Sequence, residues 1–185
     1  MRKPSLFRLS ALCLTSCLAI TPVWAHEHHD HQHEQAGHQA PDYSREFAAA
    51  RPAETTTVDY CWVRNIPTPA PSAGYFVVHN GGEKPVRLLA VQSPQYDDLM
   101  LHQTYDEDGM AKMKMADDIV IEPNSSLEFK PGGYHAMLEQ PTSKVADGDV
   151  IEMTWLFDDK TSVTGQCEVR AASGRQKSDD TTHQH

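Results

Sequence analysis

Through the middle of the chain, apolar and polar residues alternate with a period of two. Val58, Tyr60 and Trp62 interleave with Asp59, Cys61 and Val63. Short runs of the same kind recur at 75–79, 86–91, 98–105, 111–115, 119–122, 127–130, 135–138, 150–157 and 162–170. Successive strand residues point to opposite faces, so this period marks strands, not helices. Clusters of turn residues separate the runs: Asn80-Gly81-Gly82-Glu83, Pro123-Asn124-Ser125-Ser126, Ala146-Asp147-Gly148-Asp149 and Asp158-Asp159-Lys160. Ten short strands with such punctuation predict an all-β fold, an antiparallel sandwich or barrel. The domain shows no long amphipathic helix and no internal repeat.

The pattern also divides the chain. Residues 57–171 hold all the strand signals, enough for one hydrophobic core. Before them, residues 41–56 read as a linker with Pro41, Pro52 and an alanine run, and with room for a short helix around 45–51. Residues 26–40 hold His26, His28, His29, His31, His33 and His38 among Glu, Asp and Gln. With no apolar side chains to bury, this His-rich extension is expected to be disordered. His-rich tracts bind metals such as Cu(II), Zn or Ni, loosely and in several arrangements. Residues 172–185 form a polar tail, in which His183 and His185 are too few to carry a claim.

Residues 1–25 read as an export signal. Arg2, Lys3 and Arg8 precede an apolar stretch too short to span a bilayer, ending at Val23-Trp24-Ala25. Export to the periplasm is the expectation. Leu14-Thr15-Ser16-Cys17 resembles a lipobox and ranks second, because it would leave the apolar 18–25 stretch on the mature chain. Without the leader's three basic residues, thirteen basic face twenty-six acidic residues, a net charge of −13. Such a balance disfavours nucleic acid and anionic membranes as partners. The expected state is a monomer.

Two cysteines follow the signal. In an oxidising compartment Cys61 and Cys167 are expected to form one disulfide tying the domain's first strand to its last. The competing reading, a redox or thiolate metal pair, lacks Cys-x-x-Cys spacing.

The candidate chemistry lies between Met100 and Met137. Five of seven methionines fall there, at 100, 110, 113, 115 and 137, with His102 and His135. Core filling is the bland explanation, because Met fits irregular gaps. Coordination is the alternative, since thioethers select Cu(I) and imidazole also suits copper. The i, i+2 spacing puts Met100 with His102, Met113 with Met115, and His135 with Met137, beside turn residues Asp106-Glu107-Asp108-Gly109 and Pro131-Gly132-Gly133. For Met100, Met110 and Met115 as accessory ligands, packing and coordination stay evenly balanced. No nucleophile elbow, phosphate loop or His-Glu-x-x-His motif is present, so no enzyme is expected. Asp97-Asp98 and Asp117-Asp118 read as solvated charges, His79 as a satisfied histidine, and Tyr134 and Trp155 as packing residues.

Four positions have a spacing that can be compared. His102, Met113, His135 and Met137 form His-x(10)-Met-x(21)-His-x-Met. This resembles the PCu(A)C family of periplasmic copper chaperones at all four positions. The similarity extends from Val63-Arg64 and Ala73-Gly74-Tyr75-Phe76 through Lys130-Pro131-Gly132-Gly133-Tyr134-His135 to Val169, and excludes the His-rich extension. The resemblance implies a cupredoxin-like antiparallel β-sandwich and one Cu(I) held by His102, Met113, His135 and Met137 at an exposed end. It further implies delivery to a copper-accepting protein, notably the copper centre of cytochrome c oxidase. Copper sequestration for tolerance is the alternative. A β-sandwich interaction module with an incidental metal tract is the alternative from another class. A blue-copper role would need a Cys ligand that neither Cys61 nor Cys167 is placed to give.

Overall fold

The computed structural model describes residues 41–172. The segment read as an export signal, with Cys17, the His-rich tract from His26 to His38, and the tail with His183 and His185 lie outside the described residues. The ten strands expected from the alternation are all present. They are β2 (Thr56–Asn65), β3 (Ser72–Asn80), β4 (Val86–Gln92), β5 (Tyr96–Glu107) and β6 (Met110–Met115). Then follow β7 (Ile119–Ile121), β8 (Ser125–Phe129), β9 (Tyr134–Pro141), β10 (Val150–Phe157) and β11 (Thr161–Ala171).

Two elements precede them, where the sequence reads as linker: helix α1 (Ser44–Ala49) and strand β1 (Arg51–Pro52). The physical reason is a backbone one. Arg51 N–H donates to Lys160 O at 3.0 Å and Ala53 N–H to Ser162 O at 2.9 Å, so β1 adds to β11 without burying either of its side chains. A hydrophobic pattern carries no trace of such a strand.

The strands join in the order β6-β5-β9-β3-β2-β11-β10-β4-β7, with β1 on β11 and β8 on the far half of β3. Most pairs are antiparallel. The β11–β2 and β1–β11 pairs are parallel, so the sheet, antiparallel as expected over most of its ladder, is mixed around β11. Both ends of this path contribute to one buried cluster: Leu101, Ala136, Leu138 and Phe76 from one side, Leu88, Ile119, Trp155 and Ile151 from the other. The ladder therefore curls into two packed layers. At the centre Phe76 stacks on Phe129 at 4.2 Å and meets Trp155 edge-on at 5.2 Å. Such aromatic pairs contribute about 0.5–1.5 kcal/mol beyond the area they bury. Trp155 sits directly over Gly165, where an added Cβ would come within 3.3 Å of the indole.

Cys61 and Cys167 form the expected disulfide, with Cα atoms 4.6 Å apart, and fasten β2 to β11. The loop closed spans 106 positions. In the chain-entropy account this removes about 4–5 kcal/mol of unfolded-state freedom, a large share of a small domain's stability. A C61A/C167A variant should therefore unfold at a clearly lower denaturant concentration than the oxidised protein; an unchanged midpoint would show that the crosslink is neutral.

Candidate metal centre

A two-residue hairpin sets the geometry. Asp108 and Gly109 join β5 to β6 with φ of 55° and 77°. Positive φ at both central positions is the turn whose twist suits a tight hairpin, and Asp-Gly is a favoured sequence for it. Asp106 Oδ1 accepts a hydrogen bond from Gly109 N–H at 3.0 Å and braces the turn. With Glu107 opposite Met110, each later pair is fixed: Thr104 faces Met113 and His102 faces Met115.

On the other side β5 pairs with β9. His102 faces His135, and Met100 faces Met137. Side chains opposite one another share a face, and so do residues two apart. Met113 and Met115, Met100 and His102, and His135 and Met137 therefore lie on one face of the β6-β5-β9 ribbon. The opposite face carries Leu101, Ala136 and Leu138 into the core. His102 is the hub of the array: His135 and Met115 stand directly across from it, and Met113 and Met137 lie on opposite diagonals. Diagonal neighbours are roughly 7–8 Å apart, within reach of long side chains. Met110 differs in parity, so it lies on the other face, 60% exposed beside the turn. Of the three ambiguous methionines, Met100 and Met115 join the array and Met110 does not.

Both imidazoles are buried, at 7% and 8% exposure, with ring centroids 6.0 Å apart. Met113 at 53% exposure stands at the open side. Gly133 O accepts a hydrogen bond from His135 Nδ1 at 3.1 Å. A carbonyl only accepts, so the proton resides on Nδ1 and Nε2 keeps a free lone pair, the arrangement of a metal-ligating histidine. The Nδ1 of His102 is buried with no hydrogen-bond partner. An orphaned polar atom of this kind costs about 1–3 kcal/mol unless something satisfies it. Burial, and secondarily the neighbouring His135, lower the pKa of His102 and keep it neutral. Neutral imidazole is the form that binds metal.

The donor set suits a soft ion. Among the described residues, no three His, Cys, Asp or Glu side chains gather to hold a metal. Any ion bound here would need thioethers, which favours Cu(I) over zinc or harder ions.

Beyond His135 the same face continues into aromatic residues that the motif does not include. Tyr75 is buried with its ring 6.5 Å from that of His135, and Trp62 lies 4.5 Å further on. Arg64 sits over Tyr75 and Arg170 over Trp62. Desolvation raises the Tyr75 pKa, against the attraction of Arg64. Tyr75 and His135 are thus buried side by side. The sequence signals of Tyr75 are the strand alternation and its place in the family-like stretch Ala73-Gly74-Tyr75-Phe76. Three other sequence candidates sit apart from the array. His79 is partnered by Ser126 and Asp59, Asp118 pairs with Arg87, and Trp155 lies in the core.

A family model described as LpqE-like matches residues 56–169. The chain belongs to the LpqE-like family. The LpqE-like domain shares its fold with the copper-bound PCuAC domain from PmoF2: 24% identity, TM-score 0.54, covering 66% of this chain and 97% of that one. It is similar also to the apo PCuAC domain from PmoF1, at 20% identity and TM-score 0.54, covering 66% and 98%. The Cu(I) form of DR1885 from Deinococcus radiodurans aligns at 23% identity and TM-score 0.51, covering 71% and 88%. A curated relative, the uncharacterized protein RP573 of Rickettsia prowazekii (strain Madrid E), is 35% identical over 91 residues, 49% of this chain. The chain spans about half of that relative's length.

The neutral His102 makes the metal-free LpqE-like domain sensitive to acid. Its folded pKa lies below the unfolded value, so the unfolded state binds the proton first. Stability should hold above pH about 6.5, decline as the pH falls below it, and level off under the folded pKa. Denaturant midpoints of wild type and H102Q between pH 8 and pH 5 should diverge, with the variant flatter; parallel curves would show that His102 is not the linked group.

Proposed function

We propose that this domain is a periplasmic carrier of Cu(I), held by His102, Met113, His135 and Met137 and passed on to a copper-accepting protein. The observation that carries the reading is the pair of buried imidazoles facing each other across β5 and β9, with thioethers on both diagonals. The copper-bound PCuAC domain from PmoF2 and the Cu(I) form of DR1885 share this fold, which supports copper as the ion.

The donor set matches the task. Two imidazoles and two thioethers are neutral, so the complex keeps a single positive charge and favours the reduced ion. Thioethers need no deprotonation and cannot be lost to disulfides in an oxidising space. Sulfoxide formation is their vulnerability. The domain is a carrier, not an enzyme, and its acceptor is the copper centre of cytochrome c oxidase. The His-rich tract, His26 to His38, is an additional Cu(II) binder, because imidazole clusters suit the oxidised ion better than thioethers do.

Competition against a Cu(I) chelator tests the centre. H102A and H135A should each weaken Cu(I) at least about 10–100-fold, the range seen even for outer-shell changes. M113L and M137L should weaken it also, with the fold intact because Leu matches Met in volume. Wild-type affinity in all four would refute the assignment, and unchanged function in the two Met variants would favour the interaction-module reading.

A deletion strain separates delivery from storage. Loss of cytochrome c oxidase activity supports delivery, whereas copper sensitivity with full oxidase activity means sequestration. Removing residues 26–40 should lower the Cu(II) stoichiometry and leave Cu(I) affinity unchanged; an unaltered Cu(II) count would eliminate the tract.

A further inference from the structure

We propose that Met100 and Met115 form a second, weaker position for a soft monovalent cation, adjoining the Met/His centre and open to a pocket beside it. The proposal rests on the reading of His102 and its three partners as the primary centre.

Register supplies the first argument. Met115 stands directly across from His102, and Met100 directly across from Met137. Each of these sulfurs is thus a rung neighbour of a primary ligand, on the same face. Core filling, the ordinary use of Met, does not account for them. Neither belongs to the buried hydrophobic cluster or to the partly buried residues packed against it, whereas Met153 lies at its heart.

The second argument is the space they border. Met100 and Met115 both line a pocket of about 400 Å³ where α1 approaches β4 and β5. Phe47 of α1 lines it too, and Asp42, Asp97, Asp98 and Asp117 surround it with carboxylates. Carboxylates are hard ligands that hold Cu(I) poorly, but their field raises the local concentration of cations. Among the described residues, the two sulfurs are the only soft donors bordering the pocket.

Transfer between the two positions is simple ligand exchange. Met100 and Met115 join the ion stepwise as Met113, Met137 and the two imidazoles leave; every one of these ligands is neutral when bound, so no proton moves and the charge of the complex stays at +1. The pocket position then serves as the place where the ion is received or surrendered, while His102 and His135 retain it.

Methionine methyl resonances test this in the full chain, with Ag(I) as a redox-inert probe for Cu(I). The first equivalent should shift the methyls of Met113 and Met137. Further Ag(I) should shift Met100 and Met115 in a second, weaker phase, leaving Met110 and Met153 unmoved. In M100L/M115L the first phase should persist within about tenfold in affinity, and transfer of Cu(I) to a soluble chelator should slow. If Met100 and Met115 never shift, or saturate together with the first equivalent, the second position is overturned. A shift at these two without one at Met113 and Met137 would sustain the pocket position and defeat the primary assignment instead.

Discussion

Strand register is the constraint on which the site depends. Because side chains alternate at every residue, a slip of one position between β5 and β6 would turn Met113 and Met115 to the face now held by Met110. The same slip between β5 and β9 would separate His102 from His135. A positive-φ turn at Asp108-Gly109 fixes the first register, and burial of Leu101 against Ala136 and Leu138 fixes the second. One is a local backbone requirement and the other a hydrophobic one. Together they place six soft or borderline donors on one face.

That face is held at different depths. His102 and His135 are almost fully buried, one with its tautomer set by Gly133 O and the other with an unsatisfied nitrogen. Met113 stands half in solvent, whereas Met100 and Met115 border a pocket under α1. Rigid imidazoles in a dry setting suit retention of an ion. Flexible thioethers at the margins suit its exchange, since Met reorients at low cost. The scaffold beneath is stiff: a stacked aromatic core, and a disulfide joining the strands at either end of the domain's sequence.

The division of labour extends to electrostatics. The array itself includes no carboxylate, and burial keeps His102 neutral, which suits a monovalent ion. Negative charge is kept to the pocket, where Asp97, Asp98 and Asp117 stand, and to the strongly acidic chain as a whole. Attraction is thereby diffuse and coordination specific.

The sequence alone determined the ten strands β2 to β11, the disulfide and the spacing of His102, Met113, His135 and Met137. These rest on local rules: alternation for strands, redox compartment for cysteines, and ligand softness for the Met/His set. Tertiary structure decided the rest. It sorted Met100 and Met115 from Met110, because only pairing across strands tells which parity faces His102. It made β2 and β11 parallel neighbours and drew β1 onto β11, through backbone hydrogen bonds that side-chain patterns do not encode. It set Tyr75 against His135 and α1 beside the pocket, contacts between residues tens of positions apart. Periodicity describes one strand's two faces; which neighbour each face meets is settled only when the sheet closes on itself.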